Sequence, residues 1–291
     1  MRFGQMPEVL SGPAHAKVNL VLEVLGKRED GYHDIDTILQ EIELADRVSI
    51  EPAAEWRIEV TGPRAAGTPA DESNLALKAA MLLAERVNSS FPCLIRLEKH
   101  IPAAGGLGGG ASDAAAALGL LASAWPSTRI GEIVEVAEAI GSDEAFFLHG
   151  GTARARGRGE QINQLQPLPA HDVVLFVPPQ TIERKTARMF AELGTHEFDV
   201  GRVAERFAAH PPAVFGSADV FNAFERVAFD LFPWLAELWQ DLEQRIGEPV
   251  RLTGAGPCLF WIGPSGEGSR IAAACTGAAC EVIATHTTSR K

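Results

Sequence analysis

Alternation of apolar and polar residues marks the first strand. Over Ala16 to Leu25, Ala16, Val18, Leu20, Leu22 and Val24 take one face, leaving Lys17, Asn19, Val21 and Glu23 on the other. Arg47 to Glu51, Trp56 to Val60, Cys93 to Ile101 and Thr152 to Arg158 read as further strands. Gly26 to Gly31 is a charged turn and Pro63 to Asp71 a loop. Helical spacing runs over Leu75 to Val87, with Ser73 as the expected cap, and over Ser112 to Trp125. It recurs through Ile130, Ile133, Val134, Ala137 and Ile140, with Gly141 placed to end that helix.

Beyond a boundary near Pro167 to His171 the pattern changes. A buried strand, Val173 to Val177, is followed by helices at Thr186 to Leu193, Val220 to Leu231 and Trp234 to Ile246. Strands at Val250 to Thr253 and Cys258 to Ile262 flank a tight Gly254-Ala-Gly-Pro257 turn, then come a helix at Arg270 to Gly277 and a strand at Cys280 to His286. This order predicts an antiparallel sheet with helices on one face, hence an α+β class. Two domains are expected, over residues 1–166 and 167–291.

Composition narrows the function. The 291 residues include 46% apolar and 22% charged residues, as in globular proteins. A formal charge of −12 argues against a nucleic-acid binder, whose domains carry a basic excess. Cys93, Cys258, Cys275 and Cys280 lack metal-ligand or disulfide-framework spacing and read as core residues in a reducing compartment. No apolar stretch of signal-peptide length opens the chain and no window reaches a membrane span, so a cytoplasmic location is expected.

The most informative run is Pro102-Ala103-Ala104-Gly105-Gly106-Leu107-Gly108-Gly109-Gly110-Ala111-Ser112-Asp113, between a strand and an alanine-rich helix. Glycines let consecutive N–H groups line a concave loop, and the helix start adds partial positive charge. Strand, glycine loop, helix is a phosphate-binding arrangement. It is no P-loop, because no lysine follows until Lys185. A dinucleotide fingerprint is matched formally by Gly106, Gly108 and Ala111, but no second strand ending in a ribose-binding acid follows.

Other candidates are weaker one by one. Lys17 and Asn19 share a strand face and suit a phosphate or a hydroxyl, although the strand alone favours an exposed sheet face. Asp143 is a candidate general base or metal ligand, but in isolation reads better as a cap. Tyr32, the only tyrosine, stands beside His33 after the charged turn, equally suited to stacking on a base or to a half-buried loop. Arg154, Arg156 and Arg158 form a basic stripe that reads as a solvated face. The Gly254-Ala-Gly256 turn offers more N–H groups, yet hairpin glycines need no function.

Their order carries more. A lysine on the first strand, a glycine loop ending in Ala-Ser-Asp, Gly141-Ser-Asp143 about thirty residues later and a C-terminal Gly-x-Gly resemble the GHMP small-molecule kinases. The resemblance covers nearly the whole chain. It implies a two-domain fold, with a ribosomal-protein-S5-domain-2-like α/β domain first, a ferredoxin-like α+β domain second and an active-site cleft between them. Ala16-Lys-Val-Asn-Leu20, Gly26-Lys-Arg-Glu-Asp-Gly-Tyr-His33 and Gly157-Arg-Gly-Glu160 look like those members that phosphorylate the 2-hydroxyl of a cytidine diphosphate-linked methylerythritol in non-mevalonate isoprenoid synthesis.

By that resemblance Lys17 and Asp143 are the catalytic pair. Tyr32, His33, Phe190, Thr186 and Asn19 contact the cytidine substrate. Pro102 to Ser112 cradle ATP, with Asn74 and Lys99 near the adenine, and Mg²⁺ arrives with ATP, Ser112 being its candidate protein ligand. The family's usual Gly-Ala-Asp-Val-Pro is here Gly141-Ser-Asp-Glu-Ala145, and its Ser-Gly-Ser-Gly is Thr253-Gly-Ala-Gly-Pro257. A homoserine- or mevalonate-type kinase, or a ligand-binding protein without activity on the same fold, are the rival expectations.

Overall fold

The computed structural model describes residues 9–89, 91–125, 128–194, 198–212 and 215–288. The opening residues, read above for a leader, lie mostly outside them. In chain order β1 (Leu10–Lys27), β2 (His33–Pro52) and β3 (Arg57–Thr61) precede α1 (Leu75–Arg86) and β4 (Cys93–Glu98). The helices α2 (Gly109–Ala124), α3 (Ile130–Ile140) and α4 (Glu144–His149) follow, then β5 (Thr152–Gly157), β6 (Gln161–Gln164) and β7 (His171–Val177). Next come α5 (Lys185–Leu193), α6 (Arg202–Ala209), β8 (Phe221–Asn222), α7 (Glu225–Leu231) and α8 (Pro233–Ile246). The chain closes with β9 (Arg251–Leu252), β10 (Leu259–Pro264), α9 (Gly268–Ala274) and β11 (Glu281–His286). Among the described residues no helix is long and apolar enough to cross a membrane.

Two compact units divide the chain discontinuously. The first holds residues 1–16, 44–103 and 108–149. Within it β4 pairs antiparallel with Arg47 to Pro52 of β2 and parallel with β3. Side chains of α1, α2 and α3 fill its core: Ala76, Leu83, Leu118, Leu121, Ile133 and Val136 pack with Val48, Ile50, Ile95 and Leu97 from the strands. The short alanines of α2 permit this close layer, in which Ala114, Ala117, Leu118 and Leu121 are buried.

The second unit holds residues 17–43, 104–107 and 150–291. Here Ile35 to Gln40 of β2 pair antiparallel with β5, β5 forms a hairpin with β6, and Val21 and Leu22 of β1 run parallel to β8. A second sheet, ordered β11-β7-β10-β9, is antiparallel throughout. Its core gathers Val174, Phe176, Leu259 and Trp261 with Leu235, Leu242 and Ile246 of α8 and Val227 of α7. The expected antiparallel sheet of the second half is therefore present.

Some expected elements are corrected. Asn74, not Ser73, caps α1: its Oδ1 accepts from the Ala76 N–H at 2.9 Å, while the Ser73 hydroxyl and N–H are both taken by Asp71. β2 spans twenty residues where only five were read. It is buried on both faces from Asp36 to Ile42, so no alternation announces it. The expected helix from Val220 starts only at Glu225, because Phe221 and Asn222 are drawn into pairing with β1 and the Asn222 amide donates to the carbonyls of Leu252 and Gly254.

Candidate functional site

Within the second unit, β1 carries Lys17 and Asn19 inward rather than to solvent: their exposures are 4% and 2%, so the exposed-face reading does not hold. A buried ammonium and amide must be satisfied. Lys17 Nζ donates to Asn19 Oδ1 at 2.8 Å, Asn19 Nδ2 donates to Thr37 Oγ1 at 2.9 Å, and that hydroxyl donates to the Val21 carbonyl at 2.6 Å. The chain of bonds fixes which end of the Asn19 amide faces the lysine. Thr37 had no sequence signal, because it sits in the featureless middle of β2.

The first part of the glycine loop closes on this pair. The Lys17 N–H donates to the Leu107 carbonyl at 3.0 Å. Gly106, at φ 86°, lies so close to the C-terminal glycine turn that a Cβ there would sit 2.2 Å from the Thr253 carbonyl oxygen. Thr253 Oγ1 donates back to the Gly106 carbonyl at 3.3 Å, and the Cys258 N–H reaches the Gly105 carbonyl at 3.3 Å. A Cβ on Gly254 would meet the same Gly106 carbonyl at 3.2 Å and Asn19 Oδ1 at 3.4 Å. Three segments far apart in sequence thus converge: Lys17 with Asn19, the loop from Gly105 to Leu107, and the Gly254 to Gly256 turn. That turn is more than a hairpin.

The base-side candidates lie in the same unit. The His33 imidazole stacks on Phe190 of α5, centroids 4.5 Å apart and planes 13° from parallel, with Phe198 tilted beside it at 6.3 Å. Burial, and then the charge of Lys27, hold the His33 imidazolium below its usual range, which favours the neutral ring. Tyr32 is 53% exposed. Its turn is fixed by the Arg28 N–H to Tyr32 carbonyl bond of 2.8 Å and by Asp30 Oδ1, which accepts the Tyr32 N–H at 3.1 Å. Thr186 is exposed on the first turn of α5, and its neighbour Lys185 donates to the Gly256 carbonyl.

In the first unit the loop continues into α2. Gly108, at φ 76°, is its N-cap and offers no side-chain cap, while Gly109, Gly110 and Ala111 are already helical. The helix start therefore keeps backbone N–H groups for an anion. Pro102 and Ser112 are buried, and Ala103 is exposed. Ala104, of the other unit, holds φ 55° without being glycine, a strained choice of the kind found in ligand loops.

Lys99 is buried within the first unit. Its ammonium donates to Asp46 Oδ2 and to Asp113 Oδ2, because two buried carboxylates demand a counter-charge. Asp46 Oδ1 also accepts the N–H groups of His100 and Ile101, the latter at 2.8 Å. Burial pushes the Asp113 carboxyl above its usual range; the Lys99 charge opposes the shift and Asp46 reinforces it. Asp113 sits in the loop motif, yet the sequence offered no sign of Asp46.

Asn74 spends its amide on the α1 cap and on the Pro69 carbonyl, 2.8 Å away. Asp143 is half-buried just before α4, and its carbonyl accepts the Phe146 N–H at 3.1 Å. Beside it Glu144 is buried, with its pKa raised to about 7 by burial; bonds from its own backbone N–H and that of Asp143 oppose the shift, and the Asp143 charge adds to it. Among the described residues no group of three or more His, Cys, Asp or Glu could hold a metal ion.

Residues 74–151 match the family model of the GHMP kinases N terminal domain, and residues 203–281 that of the GHMP kinases C terminal. The chain is 38% identical over 275 residues to the 4-diphosphocytidyl-2-C-methyl-D-erythritol kinase of Pelotomaculum thermopropionicum, covering 91% of this chain and 93% of that protein. The Bacillus cereus protein of the same name is 38% identical over 255 residues, with 85% and 86% covered. A crystal structure of 4-(cytidine 5'-diphospho)-2C-methyl-D-erythritol kinase superposes with a TM-score of 0.78 at 32% identity, over 97% of this chain and all of that one. A mevalonate kinase from L. major, 13% identical with a TM-score of 0.70 over 98% of each chain, shares the fold alone. Motifs, fold and relatives agree, and the chain belongs to the GHMP kinase family, with the 4-diphosphocytidyl-2-C-methyl-D-erythritol kinases among its relatives.

Proposed function

We propose that this chain transfers the γ-phosphoryl group of ATP to the 2-hydroxyl of 4-(cytidine 5'-diphospho)-2-C-methyl-D-erythritol. The observation that carries the reading is the Asp30-Gly-Tyr-His33 turn with Phe190 stacked on His33, in a chain 38% identical to kinases named for that substrate. Tyr32, His33 and Phe190 hold the cytosine, with Thr186 beside them, and Asn19 contacts the sugar-alcohol end. A neutral His33 has one N–H donor and one acceptor for the base edge.

The glycine loop from Gly105 to Ser112 cradles the phosphates with backbone N–H groups. Asn74, at the head of α1, and Lys99 are the adenine-side candidates, and Lys99 also supports the loop through Asp46 and Asp113. Mg²⁺, when bound, neutralises phosphate charge. The nucleotide phosphates and Ser112 would hold it.

Phosphoryl transfer asks mainly for positioning and charge stabilisation. The substrate oxygen attacks the γ-phosphorus as the bond to the ADP oxygen breaks, and Asp143 accepts the hydroxyl proton. Lys17, oriented by Asn19, offsets the charge developing on the transferred group. ATP consumption measured with this substrate against CTP, homoserine and mevalonate tests the assignment. Turnover of the cytidine compound alone is expected; turnover of homoserine or mevalonate instead would transfer the chain to another branch. ATP binding without turnover of any alcohol would make it a binding protein.

A further inference from the structure

The three alternating arginines, Arg154 and Arg156 on β5 and Arg158 just after it, do not share one solvated face. Arg154 makes a two-pronged ion pair with buried Asp36, at 2.8 and 2.6 Å, and of the three only Arg156 is exposed. Arg158 lies past the end of β5, where Gly157 at φ 72° and Gly159 at φ 119° bend the chain. Glu160 locks this bend: its Oε2 accepts the Arg158 N–H at 2.6 Å, and a Cβ on Gly157 would strike the same carboxylate at 2.8 Å. The outcome is that the Arg158 guanidinium lies over the Tyr32 ring, 5.0 Å from its centroid.

The Tyr32 backbone is pinned by Arg28 and Asp30, whose ion pair, with that of Arg28 and Asp34, closes the turn. The ring itself is 53% exposed. Arg28, and after it the Tyr32 N–H, hold the Asp30 carboxyl below its usual range, and the Arg158 charge contributes to the same end, so the guanidinium belongs to this turn electrostatically as well. A planar guanidinium over an aromatic face is attractive through the ring quadrupole and through stacking. A ring fixed in advance pays less ordering cost when a ligand stacks on it.

We infer that Arg158 is a positioning residue for substrate specificity, covering one face of Tyr32 so that the ring presents its other face to a pyrimidine base. This rests on the proposed cytidine substrate. Arg158 acts through Tyr32 and touches no reacting atom.

Because Tyr32 is the only tyrosine in the chain, protein grown with fluorotyrosine carries a single fluorine resonance that reports this ring. Titration of the wild type with cytidine monophosphate is expected to shift it. In Arg158→Met the unliganded resonance should move, affinity for cytidine monophosphate should fall about three- to ten-fold, and ATP affinity should be unchanged. With the full substrate KM should rise by the same factor at constant kcat. Arg158→Lys, which keeps a cation, should recover part of the loss.

A variant that binds the nucleotide like the wild type, or keeps the wild-type resonance, overturns the role of Arg158. Equal losses for cytidine monophosphate and ATP overturn it too, since they signal general distortion. A wild-type resonance that ignores cytidine monophosphate would instead sink the placement of the base at Tyr32.

Discussion

His33 lies flat on Phe190 with ring centroids 4.5 Å apart. That is the short end of the range over which aromatic pairs attract, about 4.5–7 Å, so the two rings already occupy each other's stacking face. A base that uses the Phe190 face must displace the imidazole, which then becomes available to its edge.

Phe190→Leu keeps the apolar contact with the core around Phe224, which Phe190 meets edge-on at 4.8 Å, but removes the aromatic face. Loss of a base-stacking ring costs roughly 1–3 kcal/mol. The KM for the cytidine substrate should rise about ten-fold or more while the KM for ATP stays within about two-fold. Steady-state kinetics with each substrate varied in turn decides it, and a matching rise for ATP would place Phe190 on the wrong ligand.

The glycine loop can be tested by one methyl group. In Gly106→Ala the new Cβ would stand 2.2 Å from the Thr253 carbonyl oxygen, at a backbone φ of 86°. The left-handed backbone alone costs roughly 1–2 kcal/mol outside glycine, and the clash must part the loop from the turn. ATP affinity is expected to drop by about ten-fold or more, measured by calorimetry on protein whose circular dichroism shows it folded. Unchanged affinity would mean that contact between loop and turn does not shape the phosphate cradle.

Periodicity made α1, α3 and α8 legible in the sequence, because each buries one apolar stripe against a sheet or neighbouring helices. The middle of β2 was not, since Thr37, Gln40 and Glu41 are polar residues buried by partners many residues away. The same holds for Asp46 with Lys99, which are 53 positions apart. No local pattern encodes such a pair. The site was legible where its chemistry demands a residue type at a fixed spacing, as in the glycine loop and Asp30-Gly-Tyr-His33. It was illegible where an ordinary residue such as Thr37, Asp46 or Arg158 acts only through what the fold sets beside it.

Glu144 gives a pH prediction. Glu144 is only 2% exposed, and burial raises its carboxyl pKa from 4.5 to about 7. The folded state then holds the proton more tightly than the unfolded chain. The stability this confers is fully present below about pH 4.5 and is lost as pH rises through about 7, by as much as about 3 kcal/mol. Glu144→Gln cannot ionise, so its stability should match the wild type near pH 4.5 and exceed it above pH 7. Urea unfolding at pH 5 and pH 8 measures the difference. Parallel pH profiles for the two proteins would show that Glu144 does not titrate this way.

The proposed reacting pair calls for a paired test. Asp143→Asn keeps the side-chain size but removes the charge and the capacity to take a proton, while the carbonyl that starts α4 is untouched. Turnover should fall by roughly 10²–10⁴, the scale of general-base assistance, with ATP affinity and fold retained. Lys17→Met removes the ammonium that Asn19 holds at 2.8 Å and should be comparably inactive. If one acts by taking the proton and the other by stabilising the charge that transfer creates, neither is of full use alone. The double mutant should then lose far less than the product of the two single losses. Single-turnover rates for the four proteins settle the coupling. Multiplicative losses would separate the residues into independent roles, and an Asp143→Asn enzyme of near-normal kcat would leave Asp143 only the start of α4.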